Sequence, residues 1–267
     1  MSSTSPAAPP RWLAVPAVLG LGLLVLPLLA LLPRVDWAGL PAAIGSTAAV
    51  TALWLSVRTA ALAVVLCLLL GVPLALLLSR VQPRLAAVLR ALVTLPLVLP
   101  PLVGGVALLS VVGRTGLLGP WLADAGISIA FTPWAVVLAQ TFVAMPFLVI
   151  AVEGSLRTVG TRYEAVAATL GARPWSVLVR VTMPLVAPSL VAGTVLAFTR
   201  ALGEFGATAL VAGNRPGVTQ TVPMAIYSAF NGAGVGRDVA LALSVLLVAV
   251  ALVILLLIPA VRRRDAW

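Results

Sequence analysis

Two charged residues, Arg200 and Glu204, stand four positions apart inside the otherwise weakly polar stretch TRALGEFGAT. On a helix that i, i+4 spacing puts them on one face, where they can form a salt bridge. A charge at the middle of a bilayer costs at least about 2.5–3.5 kcal/mol on insertion scales, so such groups rarely face lipid. Two readings of the pair stay open. Arg200 stands beside the path of an anionic solute, or Glu204 neutralises it and the pair fixes helix packing. Gly203 and Gly206 beside them would let a neighbouring helix or a second copy of the chain come close.

Little else in the chain could do chemistry. All seventeen basic residues are arginine, and there is neither lysine nor histidine. Without lysine there is no phosphate loop of the G-x-x-x-x-G-K-[ST] kind, so ATP cannot be hydrolysed by that route. Lysine Schiff bases and Ser–Lys dyads are excluded as well. Without histidine there is no Ser–His–Asp triad, H-E-x-x-H zinc site or histidine proton relay. The lone Cys67 lies in an apolar run and reads as a small buried hydrophobe. The four aspartates fall outside or at the ends of the apolar runs, which argues against an intramembrane aspartyl pair. No catalytic residue, metal site or cofactor is expected. The rival reading as an intramembrane enzyme is opposed by these absences.

These residues sit in a chain of 267 that is 62% hydrophobic and 9% charged. Soluble domains carry roughly 25% charged residues, so this is an integral membrane protein. Apolar runs reach the ~20 residues that cross a bilayer as helix. We read an all-α polytopic protein with six spans, at about 12–32, 56–79, 89–112, 133–153, 185–210 and 238–260. The third contains TLPLVLPPLVGG, where Pro96, Pro100 and Pro101 break the backbone ladder. Such breaks line solute routes or serve helix packing, and both readings remain. Segment 1–10 reads as a disordered polar tail. The first span is long enough to be retained rather than cleaved as a leader. Segments 33–55 and 212–237 read as outer connections, and 113–132 as an outer re-entrant or interfacial piece. With both termini inside, eleven arginines fall on the inner side and Arg34, Arg114, Arg215 and Arg237, four in all, on the outer. That obeys the positive-inside rule. The net charge of +10 is thus explained by topology. No basic patch with interleaved aromatics points to nucleic acid.

The longest inner segment is YEAVAATLGARPWSVLVRVTMP, residues 163–184. Glu164, Ala167, Ala168 and Gly171 fall at i, i+3, i+4 and i+7, one helical face almost without bulk. Gly171 offers a helix stop, Ala172 follows it, and Pro174 suits the first residue of a second short helix. Pro184 closes the unit. Arg157, Arg162, Arg173 and Arg180 flank or lie within it.

This segment resembles the EAA loop of importer-type ABC permeases: a glutamate and two alanines, a glycine, then hydrophobic-x-hydrophobic-Pro. The Gly171-to-Pro184 spacing agrees with the family pattern. The Glu164-to-Gly171 spacing is one longer than its commonest form. The stretch from Ala197 to Phe230 resembles the molybdate permease subunit, where GEFGA, a GN-x-PG turn and a T-[QR]-T-hydrophobic-P run recur in this order. Sulfate and thiosulfate permeases share the GEFGA part.

The resemblance implies a type-1 ABC permease in a bacterial plasma (inner) membrane that imports a tetrahedral oxyanion. Molybdate comes first, with sulfate, thiosulfate or tungstate as alternatives. It implies a cytoplasmic ABC ATPase dimer docked on Glu164, Ala167, Ala168, Gly171, Ala172 and Pro184, a second copy of this chain, and an extracytoplasmic oxyanion-binding protein. ATP hydrolysis is then expected on a separate chain. The expected division is 1–52 for the tail, first span and outer connection, 53–260 for the permease domain, and 261–267 for a cytoplasmic tail. Arg200, Gly203, Glu204, Gly206, Pro100 and Pro101 are the candidates for pathway or packing. A non-transporting membrane scaffold would leave the EAA-like loop unexplained.

Overall fold

The computed structural model describes residues 11–264; the expected tail at 1–10 and the last three residues of the expected tail at 261–267 lie outside the described residues. Among the described residues the chain is helical, without strands. Five helical segments are long and apolar enough to cross a membrane, and one bent helix pair makes a sixth candidate.

Helix α1 (Ala14–Leu29) has no buried residue. A short helix α2 (Leu40–Gly45) leads to Ser46, whose hydroxyl caps α3 (Thr47–Leu66) by accepting from the Ala49 N–H. Helix α3 runs on through a π-helical turn, Cys67–Gly71, into α4 (Val72–Arg80), making one rod of 34 residues. The second span therefore begins well before the expected position 56. Its first turns, rich in serine, threonine and alanine, read as a connection but fold as helix once capped.

The third span is two helices. Helix α5 (Pro83–Val98) and helix α6 (Pro101–Val112) meet at 113°. Pro96 stays inside α5, and the break falls at Leu99 and Pro100. Proline at 100 and 101 removes two consecutive N–H donors, which explains why the ladder fails there. A short α7 (Gly119–Asp124) follows. Helix α8 (Pro133–Val159) starts on the Thr132 cap with proline at its first position. It is the central span, with 67% of its membrane window buried.

Helices α9 (Arg162–Thr169) and α10 (Pro174–Val177) form the loop expected on the inner side. A second π-helical turn, Leu178–Thr182, joins α10 to α11 (Met183–Leu202). The fifth span stops at Leu202 rather than at 210. A separate helix α12 (Gly206–Val211) follows, then α13 (Val222–Phe230) and α14 (Arg237–Arg264).

The core has three parts. The largest joins the α3–α4 rod to α8 and α11 through Ala63, Cys67, Leu78, Leu148, Val152, Val186 and Ala197. A second joins α6, α8 and α12, and a third joins α3, α13 and α14. Small residues on the facing sides let backbones approach, which is how helices associate where lipid is as apolar as leucine. Cys67 is buried and directs its thiol at the Thr141 carbonyl, 3.8 Å away.

Candidate functional site

The 162–184 loop is held by charge. Glu164, in the first turn of α9, receives Arg80 Nη2 on both oxygens at 2.9 and 3.0 Å. Thr182 Oγ1 donates to the same carboxylate at 2.6 Å. Arg80 is the last residue of α4, and Thr182 is the last of the π turn before α11. One carboxylate therefore joins the rod, the loop and the fifth span. Close by, Glu153 of α8 accepts Arg90 Nε at 3.1 Å, binds the same guanidinium through Nη2, and lies 3.7 Å from Arg157 Nη1. That pairing lets α8 carry a nearly buried carboxylate and continue past the expected end at 153.

The loop's two faces differ. Glu164, Ala168 and Ala172 line a groove of about 680 Å³ with Leu76 and Leu77 of α4 and Trp175. Glu164 is thus engaged within the chain, while Ala168 and Gly171 of the low-bulk face are exposed. Ala167 is half-buried, and Pro184 is exposed in the first turn of α11. Val166 and Leu170 lie outside that groove and Trp175 at its edge; Leu170 is 83% and Trp175 74% exposed. The small-residue pattern does not point to these three apolar groups. An apolar residue on each side of the Gly171 stop is the signal that could have found them. Gly171 has φ +79° with open space around it in this chain, so the glycine suits a left-handed helix end.

A second locus lies where two chain breaks meet. Glu204 is 1% exposed, with Oε2 2.7 Å from Arg200 Nη1. Its other oxygen accepts the Ala207 N–H at 2.8 Å. Arg200 lies in the last turn of α11, where a cation suits the helix dipole, and Glu204 caps the start of α12. Gly203 is the C-cap that ends α11. A Cβ at Gly206 would stand 2.5 Å from Pro101 Cβ. At Gly105 it would meet the Ala207 carbonyl at 2.9 Å. The α5/α6 break and the α11/α12 break are thus packed together, with Pro100 and Pro101 on one side and Gly206 on the other. Near this level α8 buries Gln140 completely, with neither amide atom hydrogen-bonded among the described residues.

The segment 212–222 is also fixed from within. Asn214 donates to Ser228 Oγ at 2.6 Å and accepts from Gln220 Nε2 at 2.9 Å. The Ser56 hydroxyl accepts the Val222 N–H at 2.8 Å, tying α13 to α3.

Long apolar helices around a central α8, a charged loop after it and two facing helix breaks describe a polytopic membrane protein. The chain belongs to the family described as the binding-protein-dependent transport system inner membrane component, which matches over residues 68–264. It is similar to the molybdenum transport system permease protein ModB of Mycobacterium tuberculosis, 56% identical over 247 residues and 92% of both chains. The ModB of Escherichia coli K12 is 41% identical over 207 residues, 77% of this chain and 90% of that one. The sulfate transport system permease protein CysT of the same organism is 36% identical over 208 residues, 77% and 75% of the two chains. Among solved structures, a bacterial alginate ABC transporter in complex with an alginate-bound periplasmic protein has TM-score 0.72 at 18% identity, covering 95% of each chain. The inward-facing MetNI methionine ABC transporter has TM-score 0.60 at 20% identity, covering 79% of this chain and 95% of that one. These last two likenesses are of fold.

Proposed function

We propose that this chain is the membrane subunit of an ATP-driven importer for a tetrahedral oxyanion, molybdate before sulfate. The observation that carries this reading is the similarity to the mycobacterial ModB, 56% identical over 92% of both chains; within Escherichia coli, ModB is 41% and the sulfate relative 36% identical. Two copies of the chain would enclose the route in a bacterial plasma membrane, with both termini and the 162–184 loop in the cytoplasm. The arginine distribution supports that orientation. A partner ATPase dimer would grip the outward side of the loop, where Val166, Leu170 and Trp175 supply apolar anchors of the kind that dominate docking energetics. Closure of the ATPases on ATP would pull the loop, and the Glu164 junction would pass the movement to the α3–α4 rod and α11. A soluble binding protein would deliver the oxyanion on the opposite side. No covalent chemistry falls to this chain. The test is uptake of labelled molybdate and sulfate by the reconstituted complex with its own binding protein. Molybdate uptake that excess sulfate leaves intact is expected, and preference for sulfate would reject the molybdate assignment alone.

A further inference from the structure

Arg58 is a second arginine placed within a span, on α3, and it is exposed. It lies twenty-two residues from Arg80 on one continuous helical rod, a rise of about 33 Å. That distance matches the ~30 Å hydrocarbon thickness, so Arg58 sits at the membrane boundary opposite the Arg80–Glu164 junction. Trp54 and Trp134 stand beside it, as aromatic side chains do at such boundaries.

Thr51, Trp54, Arg58, Thr59, Trp134 and Gly217 line a groove of about 240 Å³ between α3, the start of α8 and the 212–222 segment. Its lining contains no carboxylate, and among the described residues no carboxylate lies within salt-bridge distance of Arg58. Among the described residues only Trp37 gives its indole N–H to a protein acceptor, which leaves those of Trp54 and Trp134 free. Both threonine hydroxyls already donate to backbone carbonyls one turn back, leaving lone pairs but no free proton. The charged group and the free donors of this groove therefore all favour an anion. The planar guanidinium forks onto two oxygens at once, the geometry that fits a tetrahedral oxyanion.

We infer that this groove binds a tetrahedral oxyanion group through Arg58, with the indoles of Trp54 and Trp134 as further donors. Such a group has two sources: a free oxyanion in transit, which rests on the function proposed above, and the phosphate of a membrane lipid. The site differs from the Arg200–Glu204 pair in having no counter-charge. It is therefore suited to hold an ion and not only to brace helices.

The test uses the complete transporter, wild type and Arg58→Gln, with two readouts. If the free ion is the ligand, the molybdate concentration for half-maximal uptake rises about tenfold, the loss expected for one charged hydrogen-bond pair. If lipid is the ligand, half-saturation stays put and less phospholipid phosphorus co-purifies with the complex in maltoside detergent. Unchanged values in both overturn the inference. Should Arg58→Gln fail to reach the membrane, Trp54→Phe with Trp134→Phe removes two donors and keeps the charge. It should move the same readout by a smaller factor, and no movement again overturns the site. A wild-type complex that takes up sulfate but not molybdate would correct the substrate, and the two readouts would then be repeated with sulfate.

Discussion

Glu204 meets two partners at once, pairing with the Arg200 guanidinium and accepting the Ala207 N–H. Truncating it leaves an arginine in the membrane without its counter-charge and a helix start without its cap. Breaking a buried pair from one side typically costs about 3–5 kcal/mol, reduced here because Arg200 is partly exposed. Glu204→Ala should therefore sharply lower the amount of folded permease in the membrane. Removing both charges should recover it unequally. Arg200→Ala with Glu204→Gln keeps an acceptor for Ala207, whereas Arg200→Ala with Glu204→Ala does not. A difference of about 1 kcal/mol is expected between the two, the usual worth of a cap. Thermal melts of the solubilised double variants measure it, and equal stability would remove the capping role. Molybdate uptake by the same variants separates packing from passage: normal protein levels without transport would move Arg200 from a packing residue to a pathway residue.

The 162–184 loop depends on Gly171 as a helix stop, and its backbone conformation gives the reason. At φ +79° a β-carbon is strained although space is open, and asparagine tolerates that region better than valine or alanine. Gly171→Asn should keep most of the ATPase stimulation by the permease, and Gly171→Val should lose most of it, while membrane insertion stays normal for both. Equal loss in a stimulation assay would show that the glycine serves docking space instead. The same contrast marks what is legible in the sequence. Thr132–Pro133 announces the start of α8 because cap and first-turn proline are local signals. Its end reads as Glu153, since a carboxylate looks like an exit from the membrane. The neutralising Arg90 lies on another helix, 63 residues away in sequence. Glu164 and Ala168 do share one face, as their spacing requires. What that face meets depends on Arg80, 84 residues earlier. Arg58 lies two residues inside the expected start of the second span, and its neighbours Trp134 and Gly217 come from segments far along the chain, so spacing alone gives it no role. The prolines of 96–101 signal a break, but a 113° bend is set by packing against α12 and cannot be read from them.

For the whole molecule, the lack of lysine has a direct consequence. The purified chain in liposomes should hydrolyse no ATP, and activity should appear when the cognate ATPase is added. Steady phosphate release by the rigorously purified chain alone would contradict the proposed division of labour. Helix α1 has no buried residue although it is fully apolar along its length. Lipid alone can solvate it, so its exposure is compatible with a stable fold in a bilayer.

The two π-helical turns, Cys67–Gly71 and Leu178–Thr182, set the angular phase of the helices after them, α4 and α11. Such a turn holds one residue more than an α-helical turn, and one residue is about 100° of rotation. Arg80 lies beyond the first turn and Thr182 closes the second, so both grips on Glu164 are clocked by these inserted residues. Losing a single residue from 67–71 would leave α4 just as apolar and just as able to enter a membrane. It would nevertheless swing Arg80 away from the carboxylate it holds. The protein would insert and fold like a gear mounted one tooth out, with its teeth intact and nothing to drive.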